Sequence, residues 1–192
     1  MKKIILFASG SGTNADTIIR YFAAHQMAKV IAVYTNNPRA GVIQKAQHLQ
    51  VPTVVFDRND FESGKILAEL KQLQPDLVVL AGFLWKIPAH FIAAFPQKIL
   101  NIHPALLPKY GGKGMYGMYV HQAVLDQKET ETGISIHLVN EQYDQGALLF
   151  QASTSVSDCH TAQDVADKVH ALEKQHFSAV IESYLTTLYP QP

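Results

Sequence analysis

Asn101 and His103 stand two residues apart, with Ile102 between them and a proline directly after. In an extended chain, side chains two residues apart project from the same side, so this pair can face one ligand while Ile102 enters the core. Histidine is the usual general acid or base near neutral pH, and a carboxamide can donate a hydrogen bond to a developing oxyanion. The pair therefore suits proton transfer beside an oxyanion, and a structural histidine at a strand end is the alternative.

A carboxylate able to tune this imidazole lies in the segment 140–146, which reads Asn-Glu-Gln-Tyr-Asp-Gln-Gly. Next to His103, the carboxylate of Asp144 would favour the imidazolium form and raise the histidine pKa, which keeps a proton available for donation. The same residue types also form ordinary turns, and that alternative stays open. The sequence offers a histidine–aspartate pair without proving that the two side chains meet.

A second candidate site lies at positions 9–14, which read Ser-Gly-Ser-Gly-Thr-Asn. The segment passes from a predicted strand into a predicted helix, whose first N–H groups and dipole favour a phosphate monoester. A tight turn with Asn14 as the helix cap is the structural alternative. The segment is neither a complete GxGxxG nor a P-loop, because no Gly-Lys-Ser/Thr is present, and this disfavours an NTPase.

The other histidines show no metal-binding pattern. They form no HExxH motif and no cysteine–histidine pair of suitable spacing, so we predict no metal site. His137 lies on a predicted strand and could supply a further hydrogen bond, but we expect a core or surface position. We expect the same of His121, His160, His170 and His176.

The segment 109–119 contains four glycines with methionine and tyrosine between them. A pure linker would be polar, so these apolar side chains favour a mobile lid over an aromatic ligand. A statically packed surface loop is the alternative.

These residues follow an alternating series of strands and helices, and runs such as Leu77–Leu80 are typical of parallel strands covered on both faces. The predicted strands are Ile4–Ala8, Val30–Tyr34, Thr53–Phe56, Leu77–Leu80, Ile99–Ile102, Gly133–Val139 and Ala147–Val156. The predicted helices are Ala15–Ala24 capped by Asn14, Phe61–Leu73 capped by Asp60, a short helix after Pro88, Val120–Gln127, and one from Thr161 to Leu185. This order predicts an α/β, Rossmann-like fold that binds ligands beyond the carboxyl ends of its strands.

The composition is that of an ordinary globular protein. The 192 residues fit one domain, 47% of them are apolar, and 16 basic side chains balance 16 acidic ones. Without a basic excess, we expect no nucleic-acid partner. Because Cys159 is the one cysteine and no apolar stretch suits a secretory signal or a membrane span, we expect a cytoplasmic protein without a membrane partner. Oligomeric state does not follow from the sequence.

Five motifs, taken in order, resemble those of the folate-dependent glycinamide ribonucleotide formyltransferases over nearly the whole chain. The family's G-[SN]-G-[ST]-N, A-G-[FY], N-I-H-P-[SA]-L-L-P, H-x-V and D-x-G motifs are matched by Gly10–Asn14, Ala81–Phe83, Asn101–Pro108, His137–Val139 and Asp144–Gly146. The third motif is highly specific to formyl transfer from folate. The resemblance implies one formyltransferase domain over residues 1–192, with phosphate binding in its N-terminal half and the folate site completed by its C-terminal half.

The resemblance also implies the residue roles. The implied catalytic residues are Asn101, His103 and Asp144, with His103 as general acid in a direct transfer through a tetrahedral intermediate. The residues implied to bind the ribonucleotide substrate are Ser11, Gly12, Thr13, Asn14 and Glu173. The residues implied to bind the co-substrate 10-formyltetrahydrofolate are Arg58, Leu84, Trp85, Lys86, Ile87, Asn101 and Asn140. Family members often have Met-Arg where Leu84 and Trp85 stand, so the folate wall differs here.

Several other functions compete with this interpretation. A sugar-nucleotide N-formyltransferase would share the Asn-x-His…Asp residues, and a non-catalytic folate- or nucleotide-binding protein would share the binding residues. The length disfavours transfer-RNA formyltransferases and formyltetrahydrofolate hydrolases, which carry further domains. A dinucleotide-dependent oxidoreductase is disfavoured because no acidic residue follows the second strand, where Tyr34-Thr35-Asn36 stands.

Overall fold

Seven strands form one sheet in the computed structural model, which describes residues 1–190. The strands are β1 Lys2–Phe7, β2 Ala28–Thr35, β3 Thr53–Val55, β4 Leu77–Leu80, β5 Ile99–His103, β6 Glu131–Leu138 and β7 Leu148–Ser155. Their order across the sheet is β3-β2-β1-β4-β5-β6-β7. The first five strands are parallel, and β6 pairs antiparallel with both β5 and β7. This confirms the predicted α/β class and the mostly parallel sheet.

Helices cover both faces of the sheet. The helices are α1 Thr13–His25, α2 Gly41–His48, α3 Arg58–Glu62, α4 Lys65–Leu73, α5 Ala89–Ala94, α6 Met118–Asp126 and α7 Ala162–Leu188. Alternate residues of β1 enter different cores: Ile4 and Leu6 pack with α1 and α7, whereas Ile5 and Phe7 pack with the aromatic side chains near α3 to α5. The buried run in β1 therefore supports both layers. Among the described residues, no helix is long and apolar enough to cross a membrane.

The start of α1 differs from the prediction. The N-cap is Gly12, which adopts a left-handed φ of 76° and receives no side-chain cap. A Cβ at Gly12 would lie 2.6 Å from Val42, so only glycine allows this close approach of α2. Asn14 lies inside the first turn, where its side chain is free to bond elsewhere, and its predicted capping role is wrong.

The predicted helix Phe61–Leu73 is in fact two helices. Gly64 adopts a φ of 88° between α3 and α4, a conformation that ends the first helix and caps the second. The cap of α3 is Asp57, whose carboxylate accepts a hydrogen bond from the backbone N–H of Asp60. Asp60 itself pairs with Lys65, so the prediction placed the cap three residues too late.

The carboxyl ends of three neighbouring strands position the site. In the sheet, β1 lies beside β4, and β4 lies beside β5, while the connections from β1 and β4 leave toward opposite edges. This is the switch in strand order at which open α/β sheets bind ligands. The segments that follow β1, β4 and β5 are the glycine-rich turn, Ala81–Ile87 and the loop after His103, so the fold brings the three separate motifs together.

Candidate active site

A pocket of about 590 Å³ lies at this edge of the sheet. All but one of the site residues expected from the sequence line it, namely Ser11, Gly12, Thr13, Asn14, Leu84, Trp85, Lys86, Ile87, Asn101, His103, Asn140, Asp144 and Glu173. The exception is Arg58, which lies outside the wall and packs on the indole of Trp85, 4.4 Å from the ring centroid. One pocket therefore holds the candidate phosphate, catalytic and folate residues.

Asn101 and His137 face each other across the β5–β6 pair. The Nδ2 atom of Asn101 lies 3.1 Å from Nε2 of His137, and Nδ1 of His137 lies 2.9 Å from the carbonyl oxygen of Leu138. The strand register thus orients the carboxamide through an imidazole whose ring is itself held by the backbone. His137 is buried, as expected of a core histidine, and it also makes the further hydrogen bond that the sequence left open.

His103 is held between a backbone carbonyl and a carboxylate. Its Nε2 lies 2.7 Å from the carbonyl oxygen of Tyr110, to which it donates, and its Nδ1 lies 3.6 Å from Oδ2 of Asp144. The two side chains therefore meet, which the sequence alone left open.

Asp144 raises the pKa of His103, as predicted, but the net direction of the shift is opposite to the one expected. Burial lowers the pKa and outweighs the raising effects of Asp144 and the Tyr110 carbonyl, while His137 lowers it further. The lowered pKa favours the neutral imidazole of His103 in the free protein. For Asp144, burial raises the pKa, but the imidazoles of His137 and His103 and the N–H of Gly112 together bring it below its ordinary value. The carboxylate is ionised beside a neutral imidazole.

The backbone of the glycine-rich segment 109–119 contacts both His103 and Asp144. Besides the Tyr110 contact, the N–H of Gly112 donates to Oδ2 of Asp144 at 2.9 Å. A Cβ on Gly111 would lie 2.6 Å from Leu107 and 3.3 Å from the Cβ of Asp144, so glycine allows the close approach. Residues 112–117 then line the pocket. The segment is a wall of the pocket in this structure, and its motion stays a prediction.

The glycine-rich turn occupies the other end of the pocket. The start of α1 presents its first N–H groups there, beside hydroxyl groups of Ser11 and Thr13 that lie 3.2 Å apart. Nζ of Lys45, on α2, lies 3.5 Å from Oγ1 of Thr13. N–H groups, hydroxyls and one ammonium suit an anionic group such as a phosphate monoester.

Glu173 is a buried carboxylate next to this turn. Its Oε2 accepts a hydrogen bond from Nδ2 of Asn14 at 3.0 Å. Burial raises the pKa of Glu173, while Asn14 and His170 oppose that rise. The sequence alone gave no reason to expect this burial, because charged residues on a helix usually face solvent. The contact ties α7 to α1 and places a carboxylate where a sugar hydroxyl could donate to it.

The third wall is aromatic and apolar. Trp85 packs against Phe56, Phe61 and Phe83 with ring centroids about 6 Å apart. Leu84 is half exposed at the pocket, and its N–H donates to Oγ of Ser9. Such a wall fits a flat aromatic ligand better than a second sugar phosphate.

The pocket also contains three histidines for which the sequence predicts only a core or surface position. His121, His137 and His170 all line it. Register could have revealed His137, since it lies opposite Asn101, and helical spacing could have revealed His170, three residues before Glu173. No sequence signal points to His121. Within residues 1–190, no group of three or more His, Cys, Asp or Glu side chains could hold a metal ion.

Comparison with known proteins supports one family. The family model described as "Formyl transferase" matches residues 2–181. The chloroplastic phosphoribosylglycinamide formyltransferase of Arabidopsis thaliana is 36% identical over 91% of this chain, which spans 62% of that protein. The phosphoribosylglycinamide formyltransferase of Haemophilus influenzae is 35% identical over 95% of this chain and 86% of its own length.

Solved structures agree with the fold. The crystal structure of the Brucella melitensis phosphoribosylglycinamide formyltransferase has a TM-score of 0.84 and 34% identity, and the match covers 100% of this chain and 97% of that one. The chain belongs to the formyl transferase family. Within that family, the relatives described above carry the name phosphoribosylglycinamide formyltransferase.

Proposed function

We propose that this chain transfers the formyl group of 10-formyltetrahydrofolate to the amine of glycinamide ribonucleotide, a step of purine biosynthesis. One observation carries the proposal: a single pocket joins an anion-binding turn to the Asn101–His103–Asp144 cluster, with an aromatic wall alongside. A ribonucleotide phosphate at the turn and a folate on the wall would bring amine and formyl group together near His103. The N-terminal half supplies the turn, and the C-terminal half completes the folate site.

The ribonucleotide binds at the turn in this proposal. Ser11, Gly12, Thr13 and the first N–H groups of α1 bind the phosphate, and the ammonium of Lys45 offsets its charge. Glu173, held by Asn14, accepts hydrogen bonds from the ribose. These contacts hold the substrate by the end that does not react, so its amine reaches His103 in a fixed orientation.

The formylfolate binds along the aromatic wall. Leu84, Trp85 and Ile87 offer apolar contacts to its ring system, and Asn140 faces the pocket from the loop that carries Asp144. Lys86, whose Nζ lies 5.4 Å from the ring centroid of Tyr143, offers a positive charge to the acidic tail. Arg58 acts through the indole of Trp85, which it covers.

Proton transfer follows from the state of His103. The neutral imidazole accepts a proton from the amine as it attacks the formyl carbon, and Asp144 stabilises the imidazolium that forms. Asn101, oriented by His137, donates a hydrogen bond to the oxyanion of the tetrahedral adduct. His103 then acts as general acid and returns the proton to the departing folate nitrogen. No serine or cysteine nucleophile is required.

The test is absorbance-followed turnover of 10-formyl-5,8-dideazafolate with two acceptors, glycinamide ribonucleotide and an amino-sugar nucleotide. We expect turnover that depends on the ribonucleotide. Turnover with the amino-sugar nucleotide alone would assign the sugar-nucleotide activity instead. Tight binding of the folate by a folded protein without turnover on either acceptor would indicate a binding protein and overturn the proposal.

A further inference from the structure

His121 is a buried imidazole in the wall of the pocket with no role in the mechanism above. It lies on the first turns of α6, directly after the glycine-rich segment, and only 2% of its surface is exposed. Its Nδ1 is buried without a hydrogen-bond partner. A buried nitrogen without a partner destabilises a folded protein, so an apolar side chain of similar size would suit this position better.

His121 shares the pocket with residues of both the phosphate turn and the catalytic cluster. Its ring centroid is 6.2 Å from that of His170, at 82° to it, and His170 lies three residues before Glu173 on α7. The charge of His103 also acts on His121. Glu173, His121 and His103 all line the same pocket, so a ligand that contacts both Glu173 and His103 comes near His121.

The protonation state of His121 limits the chemical groups of a ligand with which it can pair. Burial lowers the pKa of His121 to about 4, and His170 and His103 lower it in the same direction, so the imidazole is neutral at pH 7. A neutral imidazole has one N–H donor and one nitrogen acceptor. It can pair with an uncharged group that offers an N–H or a carbonyl, and it offers no positive charge to a phosphate.

We propose that His121 is a specificity-determining residue that hydrogen-bonds the amide linking ribose to the glycyl group of the substrate. This inference rests on the proposed function, in which the ribose lies at Glu173 and the amine at His103, so that the amide lies between them. The nitrogen for this contact is Nε2, which makes no hydrogen bond within residues 1–190 and, unlike Nδ1, is not fully buried. An amino-sugar nucleotide has no amide at this place, so His121 would favour the ribosylamide.

The experiment compares His121→Phe, His121→Gln and wild type in the turnover assay, with Ser178→Ala as matched control. Ser178 also has a buried unpaired side-chain atom on α7, but it does not line the pocket. We expect His121→Phe to raise the KM for glycinamide ribonucleotide about five- to tenfold, with kcat and the KM for the folate within about twofold. His121→Gln, which keeps a donor and an acceptor, should recover part of the loss.

Stability supplies a second readout. His121→Phe and Ser178→Ala should each raise the Tm of the free protein by about 2 °C, because each removes an unpaired buried group. Only the first should change the KM. An unchanged KM for the ribonucleotide in folded His121→Phe would overturn the inference and leave the proposed function intact. Absence of ribonucleotide-dependent turnover in wild type would instead overturn the proposed function.

If His121→Phe does not fold, a measurement on the wild-type protein still tests the contact between His121 and the ribonucleotide. Its imidazole nitrogens can be followed by ¹⁵N NMR during titration with glycinamide ribonucleotide. A shift of the His121 nitrogens that saturates with the ribonucleotide supports the contact. Saturation of the protein without any change at His121 contradicts it.

Discussion

The two ends of the pocket differ in whether the protein itself supplies hydrogen-bond partners for their polar side chains. At the catalytic end, the protein itself supplies partners: His103 contacts the Tyr110 carbonyl, Asn101 contacts His137, and Asp144 accepts from Gly112. Toward the phosphate turn, Asn14 and Glu173 bond each other, but the nearby His121 makes no hydrogen bond within the described part of the chain. Every catalytic side chain thus has a partner before the substrate arrives, whereas one imidazole of the binding wall has none there.

This difference has a functional meaning. Groups fixed in advance need no reorganisation when charge develops during reaction, so they act on the chemical step. Groups left without partners in the free protein gain theirs when a ligand binds, so they act on affinity. Substitutions at the two ends should therefore change different kinetic parameters.

The largest effect should come from Asp144→Asn. The substitution keeps the shape of the side chain but removes the charge that stabilises the imidazolium of His103. We expect kcat to fall about 100- to 1000-fold, with little change in the KM for the ribonucleotide. Steady-state turnover across pH 6 to 9 measures this. A rise in KM without a fall in kcat would mean that Asp144 acts on substrate binding, and it would contradict the assignment of the catalytic end to the chemical step.

Acid should destabilise the free protein through His121. With a pKa lowered from 6.5 to about 4 by burial, His170 and His103, this group binds a proton more readily in the unfolded chain. Stability is therefore lost as pH falls from about 6.5 toward 4, by about 2 to 3 kcal/mol at pH 4.5. His103, whose pKa burial also lowers, adds in the same direction.

Urea unfolding at pH 7.5 and 4.5 checks this second prediction. His121→Phe should lack its share of the acid loss, so the difference between the two pH values should be smaller than in wild type. An equal acid loss in both proteins would contradict the lowered pKa of His121 and its cause, burial beside His170 and His103.

A smaller effect is expected for Glu173→Gln. The change keeps one acceptor for a ribose hydroxyl but removes the carboxylate, so the KM for the ribonucleotide should rise about tenfold with kcat within about twofold. Glu182→Gln is the matched control on the same helix, since Glu182 bonds Tyr21 and does not line the pocket. A fall in kcat without a change in KM would contradict the assignment of this end to binding.

The smallest effect should follow Arg58→Ala. Arg58 covers the indole of Trp85 from outside the pocket, so its loss should raise the KM for the folate about two- to fivefold and leave the ribonucleotide KM unchanged. The change in both KM values is measured in the same assay. An effect on the ribonucleotide alone would show that the aromatic wall does not bind the folate.

The sequence predicts the fold better than it predicts the site. Every predicted strand is present within two residues of its predicted ends, because runs such as Leu77–Leu80 must be buried on both faces. The errors in the predicted fold lie at helix ends. Gly12 rather than Asn14 caps α1, and Gly64 divides the helix predicted over 61–73. Turn chemistry of this kind depends on one backbone angle that periodicity does not report.

The candidate site depends on contacts between residues that are far apart in the sequence, and no local sequence pattern predicts such contacts. The spacing of Asn101 and His103 predicts their common side, and the structure shows both in the pocket. The direction of the His103 pKa could not be predicted, since it depends on how burial balances the charge of Asp144. His121 reaches the pocket only because α6 packs against α7.

The most direct test of the account is single-turnover transfer of a labelled formyl group from 10-formyltetrahydrofolate to glycinamide ribonucleotide, in wild type and His103→Ala, with both substrates saturating. His176→Ala, on α7 outside the pocket wall, is the control. We expect a rate about 100- to 1000-fold lower in His103→Ala and affinity for the ribonucleotide within about twofold of wild type. A transfer rate within a few-fold of wild type would contradict the assignment of the reaction to His103.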